Sequence, residues 1–142
     1  MGAQVTVVVA DWDASKEDAI PVRCKVFVQE QHVPLELELD NEDMLSWHAV
    51  AYDENGVAVG TGRLLRNAHI GRMAVLAAHR GRGVGSALLT ALINESKIRR
   101  YPEVLLSAQL HAQAFYASHG FVAEGGTYLD AGIEHITMRR TL

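Results

Sequence analysis

The alternation of apolar and polar positions along the chain predicts a series of strands. β-Branched residues dominate the first of them, and Glu54-Asn55-Gly56 is a typical hairpin turn between two others. The predicted strands span residues 4–10, 47–53, 57–65, 69–76, 104–107, 121–123 and 133–139. The second, third and fourth follow one another directly, which favours an antiparallel meander.

Helical periodicity marks three further segments, at residues 18–29, 83–99 and 110–119, the last of which Gly120 would close. Pro21 is tolerated only in a first turn, so the first helix is expected to start near Asp18, with Ser15 or Asp18 as N-cap. Residues 31–46 form a long loop, which suggests a functional role. Together these elements predict one α+β domain over residues 1–142.

Composition narrows the class of protein. The 142 residues, 49% apolar and 21% charged, suit one globular domain. A single cysteine, Cys24, excludes an internal disulfide framework, and the histidines lack metal-ligand spacing, so no metal is expected. Without a long apolar run or an export signal, we expect a cytoplasmic protein that does not associate with membranes.

The charges are unevenly distributed along the chain. The net charge of −4 argues against a nucleic-acid partner, yet residues 57–100 hold eight basic side chains and one acid. Five acids crowd into the long loop: Glu36, Glu38, Asp40, Glu42 and Asp43. This pattern suggests a molecule that binds an anion centrally and a cation elsewhere.

The strongest chemical signal lies between the fourth strand and the longest helix. It reads Arg80-Gly81-Arg82-Gly83-Val84-Gly85-Ser86. Alternate glycines let backbone N–H groups approach a ligand, the helix N-terminus adds unpaired donors, and the arginines add charge. The loop therefore predicts a pyrophosphate site.

Two common phosphate-binding classes do not fit this loop. It lacks the lysine of a nucleoside-triphosphate P-loop. A dinucleotide-binding loop would follow the first strand of a βαβ unit and require an acid about 20 residues later. Here Arg99-Arg100 occupies that position.

Four segments resemble the GNAT superfamily of N-acetyltransferases. Arg80-x-x-Gly83-x-Gly85, after the strand at 70–75, is similar to its acyl-CoA-binding signature, and Ala112-x-x-Phe115-Tyr116-x-x-x-Gly120-Phe121 to its second conserved helix. The segment from Arg23 to Asp43, with Val26-Phe27-Val28-x-Glu30-Gln31-x-Val33-Pro34, and the ending Ile133-Glu134-His135-Ile136-x-Met138-Arg139 resemble a subgroup of small bacterial members. The resemblance spans residues 20–140.

The resemblance implies a fold and a co-substrate. We expect a mixed, mostly antiparallel sheet of six to seven strands, flanked by about four helices, whose central strands splay apart. The pantetheine arm of acetyl-CoA would lie in that gap against main-chain groups of Met73, Ala74 and Val75, with its pyrophosphate on Arg80–Ser86. Ser107 and Gln109 stand near the position where the superfamily has an asparagine that contacts the arm.

The resemblance also implies direct attack of an amine on the thioester, so Cys24 is expected to be a bystander. Tyr116 matches the superfamily tyrosine that acts as general acid near the sulfur; the other interpretation is a packed core aromatic. Three candidates compete for the general base: Glu30 at a helix end, the loop carboxylates Glu36 and Glu38, and His135, whose side-chain type titrates near neutral pH.

These expectations combine into a function: an acetyl-CoA-dependent N-acetyltransferase acting on a small primary amine. The acidic loop suggests a cationic acceptor such as a polyamine or an amino sugar. The alternative is an acyl-CoA-binding regulatory protein without catalysis, against which Tyr116 argues. A homodimer is plausible by analogy with other short members of the superfamily.

Overall fold

A computed structural model describes residues 5–38 and 40–142, except for the side chain of Leu37. The strands are β1 (Thr6–Ala10), β2 (Trp47–Tyr52), β3 (Ala58–Leu64), β4 (His69–Val75), β5 (Glu103–Gln109), β6 (Val122–Asp130) and β7 (Ile133–Thr141). The α-helices are α1 (Trp12–Arg23), α2 (Leu35–Glu38), α3 (Val84–Ile98) and α4 (Gln113–Ala117).

Within these ranges the strands form one seven-stranded sheet in the order β1-β2-β3-β4-β5-β7-β6. Every neighbouring pair is antiparallel except β4 and β5, which run parallel. The meander of β2, β3 and β4 is confirmed, as is the mixed and mostly antiparallel sheet.

The two parallel strands in the middle of the sheet stay together only at their start. β4 and β5 pair at His69 with Leu105 and at Ile70 with Leu106, and not beyond. Next to this point Arg72 adopts φ = +51° where β4 shifts register against β3, which marks a bulge. The strands therefore diverge after Ile70, and the predicted splay of the central strands is confirmed.

Helices cover the two faces of the sheet unequally. The apolar stripe of α3, with Leu88, Leu89 and Leu92 fully buried, packs under β1 to β5 and forms the main core. On the opposite face, α1 packs against β2, β3 and β4. Ser107 on β5 and Tyr128 on β6 stay exposed on that face, so it is open to solvent beyond β4.

The N-terminal helix starts earlier than expected. It begins at Trp12, where Asp11 caps it by accepting a hydrogen bond from the Ala14 N–H at 2.9 Å, so neither Ser15 nor Asp18 is the N-cap. Pro21 lies inside the helix, and the chain continues as a π-helical segment, Cys24–Glu30. Local sequence rules anticipate neither a proline inside this helix nor the π-helical segment after it.

The C-terminal part is also more extended than the pattern suggested. The predicted helix at 110–119 is a 3₁₀ turn, Leu110–Ala112, followed by the short α4, and Gly120 does end it with φ = +88°. β6 and β7 are each nine residues long, whereas the apolar runs predicted only residues 121–123 and 133–139. Because β6 is an exposed edge strand, polar residues occur on both of its faces, and the alternation of apolar and polar positions that identifies a strand is absent.

No helix in the described parts of the chain is long and apolar enough to cross a membrane.

Candidate functional site

The gap between β4 and β5 opens into a cavity of about 710 Å³. Nearly all residues that the sequence singled out line it. They are Glu30, Met73, Ala74, Val75, Arg80, Gly81, Gly83, Val84, Gly85, Ser86, Ser107, Gln109, Tyr116 and His135. Arg82 and Glu36 do not line it, and both are exposed. The tertiary structure thus brings together the glycine loop, Tyr116 and His135.

The glycine loop is shaped to hold an anion. Gly81 and Gly83 have φ of +74° and +86°, in the left-handed region where side chains are disfavoured. Gly83 precedes α3 as its N-cap, and no side chain caps the helix, so its first N–H groups have no side-chain partner there. A Cβ on Gly85 would lie 3.3 Å from Cζ of Phe115, so the loop also packs closely on α4.

These features fit acetyl-CoA. A pyrophosphate requires converging N–H donors at a helix N-terminus, which the loop and α3 supply. A pantetheine arm requires main-chain partners in an extended groove, and β4 beyond Ile70 has no strand beside it on the β5 side.

Arg80, the first arginine of the loop, is bound to neighbouring parts of the chain. Arg80 donates from Nε to the carbonyl of Val75 at 2.9 Å and from Nη2 to Glu30 Oε1 at 2.7 Å. It therefore ties the loop to the end of β4 and to the π-helical segment. Glu30 is held in an ion pair, which weakens its case as a proton acceptor.

The hydroxyl of Ser86, at the start of α3, lies 2.9 Å from Nε2 of His119. Burial, with a smaller contribution from the charge of Arg140, lowers the pKa of His119. The ring is therefore neutral near pH 7 and can accept from the Ser86 hydroxyl.

Tyr116 lies on α4 and faces the cavity. Its ring packs edge-on against Phe115 and Phe121, at centroid distances of 5.1 Å and 6.1 Å. Burial raises the pKa of Tyr116 to about 12, so the hydroxyl keeps its proton throughout the physiological range. The side chain is both a packed aromatic, as one interpretation held, and a donor in the gap.

His135 on β7 is 8% exposed and lines the same cavity. Its Nδ1 lies 2.7 Å from the carbonyl oxygen of Ile133. Because a carbonyl only accepts, the neutral ring carries its proton on Nδ1 and has a lone pair on Nε2. The ring of Tyr128 stacks on His135 at 6.2 Å, and the Tyr128 hydroxyl is hydrogen-bonded to Ser107.

A second cavity of about 320 Å³ adjoins the first. Six residues line both: Phe27, Gln31, Arg72, Gln109, Asp130 and His135. At their junction the Gln109 amide donates to Gln31 Oε1 at 2.9 Å, which links the π-helical segment to the end of β5. The second cavity therefore opens onto the gap beside His135.

Three carboxylates of the acidic loop, Glu38, Asp40 and Asp43, are paired with arginines. Arg23 binds Glu38 at 2.6 Å and Asp43 at 2.8 Å, and both acids are buried. Arg63 binds Asp40 and Asp43 at 2.8 Å and 3.0 Å.

Arg72 completes the network by contacting Asp40 at 3.1 Å and Glu38 at 3.5 Å. Burial alone would raise the pKa of Asp40, but its hydrogen bond to Arg63 and the charges of Arg63 and Arg72 lower it. Three guanidinium groups thus balance three carboxylates. Much of the uneven charge of the sequence is thus paired within the chain, which corrects the interpretation of the acidic loop as a site for a cationic ligand.

Sequence reasoning missed several residues that line the cavities, among them Phe27, Gln31, Arg72 and Asp130. Asp130 precedes Ala131-Gly132, which suggests a turn and nothing more. No local signal identifies Arg72 or Asp130, because only the bulge in β4 and the hairpin of β6 and β7 bring them to the site. In the described ranges no cluster of three or more histidine, cysteine or acidic side chains could hold a metal ion.

Comparisons with known proteins agree with this geometry. Residues 11–142 match a family model described as an acetyltransferase (GNAT) domain. An uncharacterized N-acetyltransferase of Bacillus subtilis, YjcF, is 38% identical over 136 residues, covering 94% of this chain and 97% of YjcF.

Solved structures are also similar. That of an acyl-CoA N-acyltransferase from Pseudomonas aeruginosa has a TM-score of 0.83 and 31% identity, covering 96% of this chain and 99% of that one. That of Escherichia coli ElaA has a TM-score of 0.84 and 29% identity, covering 95% and 99%.

Proposed function

Because the chain belongs to the GNAT acetyltransferase family, we propose that it acetylates a small primary amine held in the second cavity. Family membership makes the protein an acyltransferase with acetyl-CoA as its co-substrate. One observation carries the proposal: the splayed gap connects an uncapped helix N-terminus with a cavity that contains both a proton acceptor and a proton donor.

The residues that would hold acetyl-CoA are those that line the gap between β4 and β5. Met73, Ala74 and Val75 line the gap that β5 leaves beside β4, and the loop from Gly81 leads to the start of α3, which no side chain caps. Acetyl-CoA, when bound, supplies an acetyl group activated as a thioester.

His135 is the residue that we assign as general base. An amine reacts only when neutral, so a proton has to leave its nitrogen before or during attack. His135 lines both cavities, and the hydrogen bond from Nδ1 to the Ile133 carbonyl orients the ring and leaves the lone pair on Nε2. Glu30 is paired with Arg80, and Glu36 lines neither cavity. Glu38 lines the second cavity but is buried in an ion pair with Arg23, so His135 is favoured.

Tyr116 is the residue that we assign as donor to the leaving sulfur. A phenol with a pKa of about 12 is a weaker acid than a thiol, whose pKa is about 8.5. Complete proton transfer from Tyr116 to a free thiolate is therefore uphill. Its main contribution is a hydrogen bond that strengthens as negative charge develops on the sulfur.

The amine attacks the thioester of acetyl-CoA directly, and no covalent acyl-enzyme forms on Cys24. Cys24 is partly buried in the π-helical segment and lines neither cavity.

Thermal unfolding with acetyl-CoA, with free CoA and with ATP tests the co-substrate site. A ligand that binds only the folded chain stabilises it by about 2.7 kcal/mol at a hundredfold excess over Kd. We expect both CoA species to raise Tm by several degrees and ATP to have little effect. An unchanged Tm at millimolar acetyl-CoA would contradict the assignment of the gap.

Release of free thiol in the presence of a panel of amines then tests catalysis. Turnover that depends on the amine is expected. Binding of acetyl-CoA without turnover of any primary amine would instead favour the non-catalytic acyl-CoA-binding protein.

A further inference from the structure

We propose that the acceptor is a diamine with two positive charges. One nitrogen loses its proton and reacts beside His135, and the other remains an ammonium group bound to the carboxylate of Asp130. This inference rests on the function proposed above and adds the class of substrate. The sequence suggested that the acidic loop binds the positive charge of the acceptor; we assign this role to Asp130 instead.

Asp130 lies at the tip of the hairpin between β6 and β7. Ala131 and Gly132 make the turn with φ of +52° and +78°, and Asp130 pairs with Ile133 across it. The side chain is exposed and lines both cavities. It therefore borders the junction between the gap and the second cavity.

The strand register places Asp130 close to His135. Tyr128 lies directly opposite His135, and Asp130 is two residues further along β6 on the same face of the sheet. Diagonal neighbours of this kind have backbones about 7–8 Å apart. A molecule of a few bonds can bridge the carboxylate and the imidazole.

Charge balance makes Asp130 the anion available to a ligand. Among the charged side chains that line the two cavities in the described ranges, Glu30 pairs with Arg80, and Arg72 contacts both Asp40 and Glu38. In the described ranges the carboxylate of Asp130 has neither a hydrogen bond nor an ion pair. One carboxylate is left without a cation at the entrance to the acceptor space.

The two groups have opposite effects on a nitrogen beside them. A carboxylate favours the charged form of a bound ammonium, which raises its pKa and keeps the nitrogen from reacting. A neutral imidazole accepts the proton and frees the nitrogen lone pair. Asp130 therefore suits the nitrogen that does not react, and His135 suits the one that does.

The shape of the second cavity fits a short aliphatic spacer. Its volume is about 320 Å³. Phe27, Val33 and Ile133 contribute apolar surface for methylene groups. A short aliphatic chain that is charged at both ends suits these walls.

Calorimetric titration of the protein saturated with free CoA tests this without turnover. The probes are putrescine and n-butylamine, which have the same carbon chain and differ in the second nitrogen. We expect putrescine to bind at least about tenfold more tightly, a difference of about 1.4 kcal/mol, and Asp130→Asn to remove the difference.

Glu134→Gln is the matched control. Glu134 lies on the same hairpin, is exposed and lines neither cavity. This substitution should leave the preference for putrescine intact. In steady-state assays Asp130→Asn should raise KM for putrescine about tenfold with little change in kcat, because the group that holds the second nitrogen does not take part in proton transfer.

Equal affinity of the wild-type protein for the two amines, or an unchanged preference in Asp130→Asn, would overturn the inference. That result is distinct from failure of the proposed function. If acetyl-CoA raises Tm and amines are acetylated without preference for a second charge, the transferase assignment stands and only the diamine is lost.

Discussion

At the scale of single residues, Tyr116 shows how one environment gives a side chain two properties. The aromatic contacts with Phe115 and Phe121 bury the ring and, in doing so, raise the pKa of its hydroxyl to about 12. The same burial that stabilises the packing keeps a proton on the oxygen that faces the gap.

Tyr116→Phe should preserve the packing and remove the donor. We expect kcat to fall by at least about tenfold, because a hydrogen bond to a charged group contributes about 1.5–3 kcal/mol, with Kd for acetyl-CoA nearly unchanged. Steady-state kinetics and calorimetric titration measure the two quantities. Tyr101→Phe, at a partly buried ring that lines neither cavity, is the matched control.

A large loss of acetyl-CoA affinity in Tyr116→Phe, with kcat preserved, would assign Tyr116 to binding instead.

At the scale of elements, the glycine loop and α3 act as one unit. Gly83 ends the loop in a left-handed conformation and starts a helix whose buried stripe of Leu88, Leu89 and Leu92 anchors it in the core. The N–H groups at the start of α3 are therefore fixed by packing one to two turns further along the helix. A rigid helix offers these donors without an ordering cost when an anion binds.

Gly85→Asp should abolish binding of acetyl-CoA. A side chain at this position meets Phe115 at 3.3 Å, and its carboxylate repels a pyrophosphate. Equilibrium titration measures the loss, and far-ultraviolet circular dichroism shows whether the variant is folded. Gly126→Asp is the control, since a Cβ there meets nothing within 4 Å.

Retention of acetyl-CoA binding in Gly85→Asp would mean that the anion site lies elsewhere.

At the scale of the whole molecule, the buried ion-pair network joins parts that are distant in sequence. Arg23 comes from α1, Arg63 from β3 and Arg72 from the bulge of β4, and all three converge on the acidic loop. The network thus fixes the loop against the sheet beside the second cavity. The acids serve the architecture of the acceptor site and not direct recognition.

Asp43→Asn should strongly destabilise the fold, because Asp43 is 2% exposed and binds both Arg23 and Arg63. Removing one partner from a buried ion pair costs about 3–5 kcal/mol. Chemical denaturation measures the free energy of unfolding. Glu124→Gln, at an exposed ion pair with Arg139, should leave the transition unchanged, whereas equal effects of the two substitutions would contradict a structural role for the network.

Local patterns were sufficient for the elements whose periodicity or glycine spacing is intrinsic. The meander, the amphipathic α3 and the loop from Arg80 to Ser86 were predicted with nearly correct limits. The start of α1 was not, because Asp11 and Ser15 are both good caps and Pro21, which was expected in a first turn, lies inside the helix.

By itself, then, the sequence determined the family, the co-substrate and most residues of the gap, since these depend on short motifs whose chemistry is local. Only the tertiary structure decided which charged side chains pair with one another and which remain available to a ligand. Coulomb energy depends on distance in space, so the sequence could not show that Arg23, Arg63 and Arg72 neutralise the acidic loop. For the same reason it could not show that Asp130, at the tip of a remote hairpin, is left facing the site.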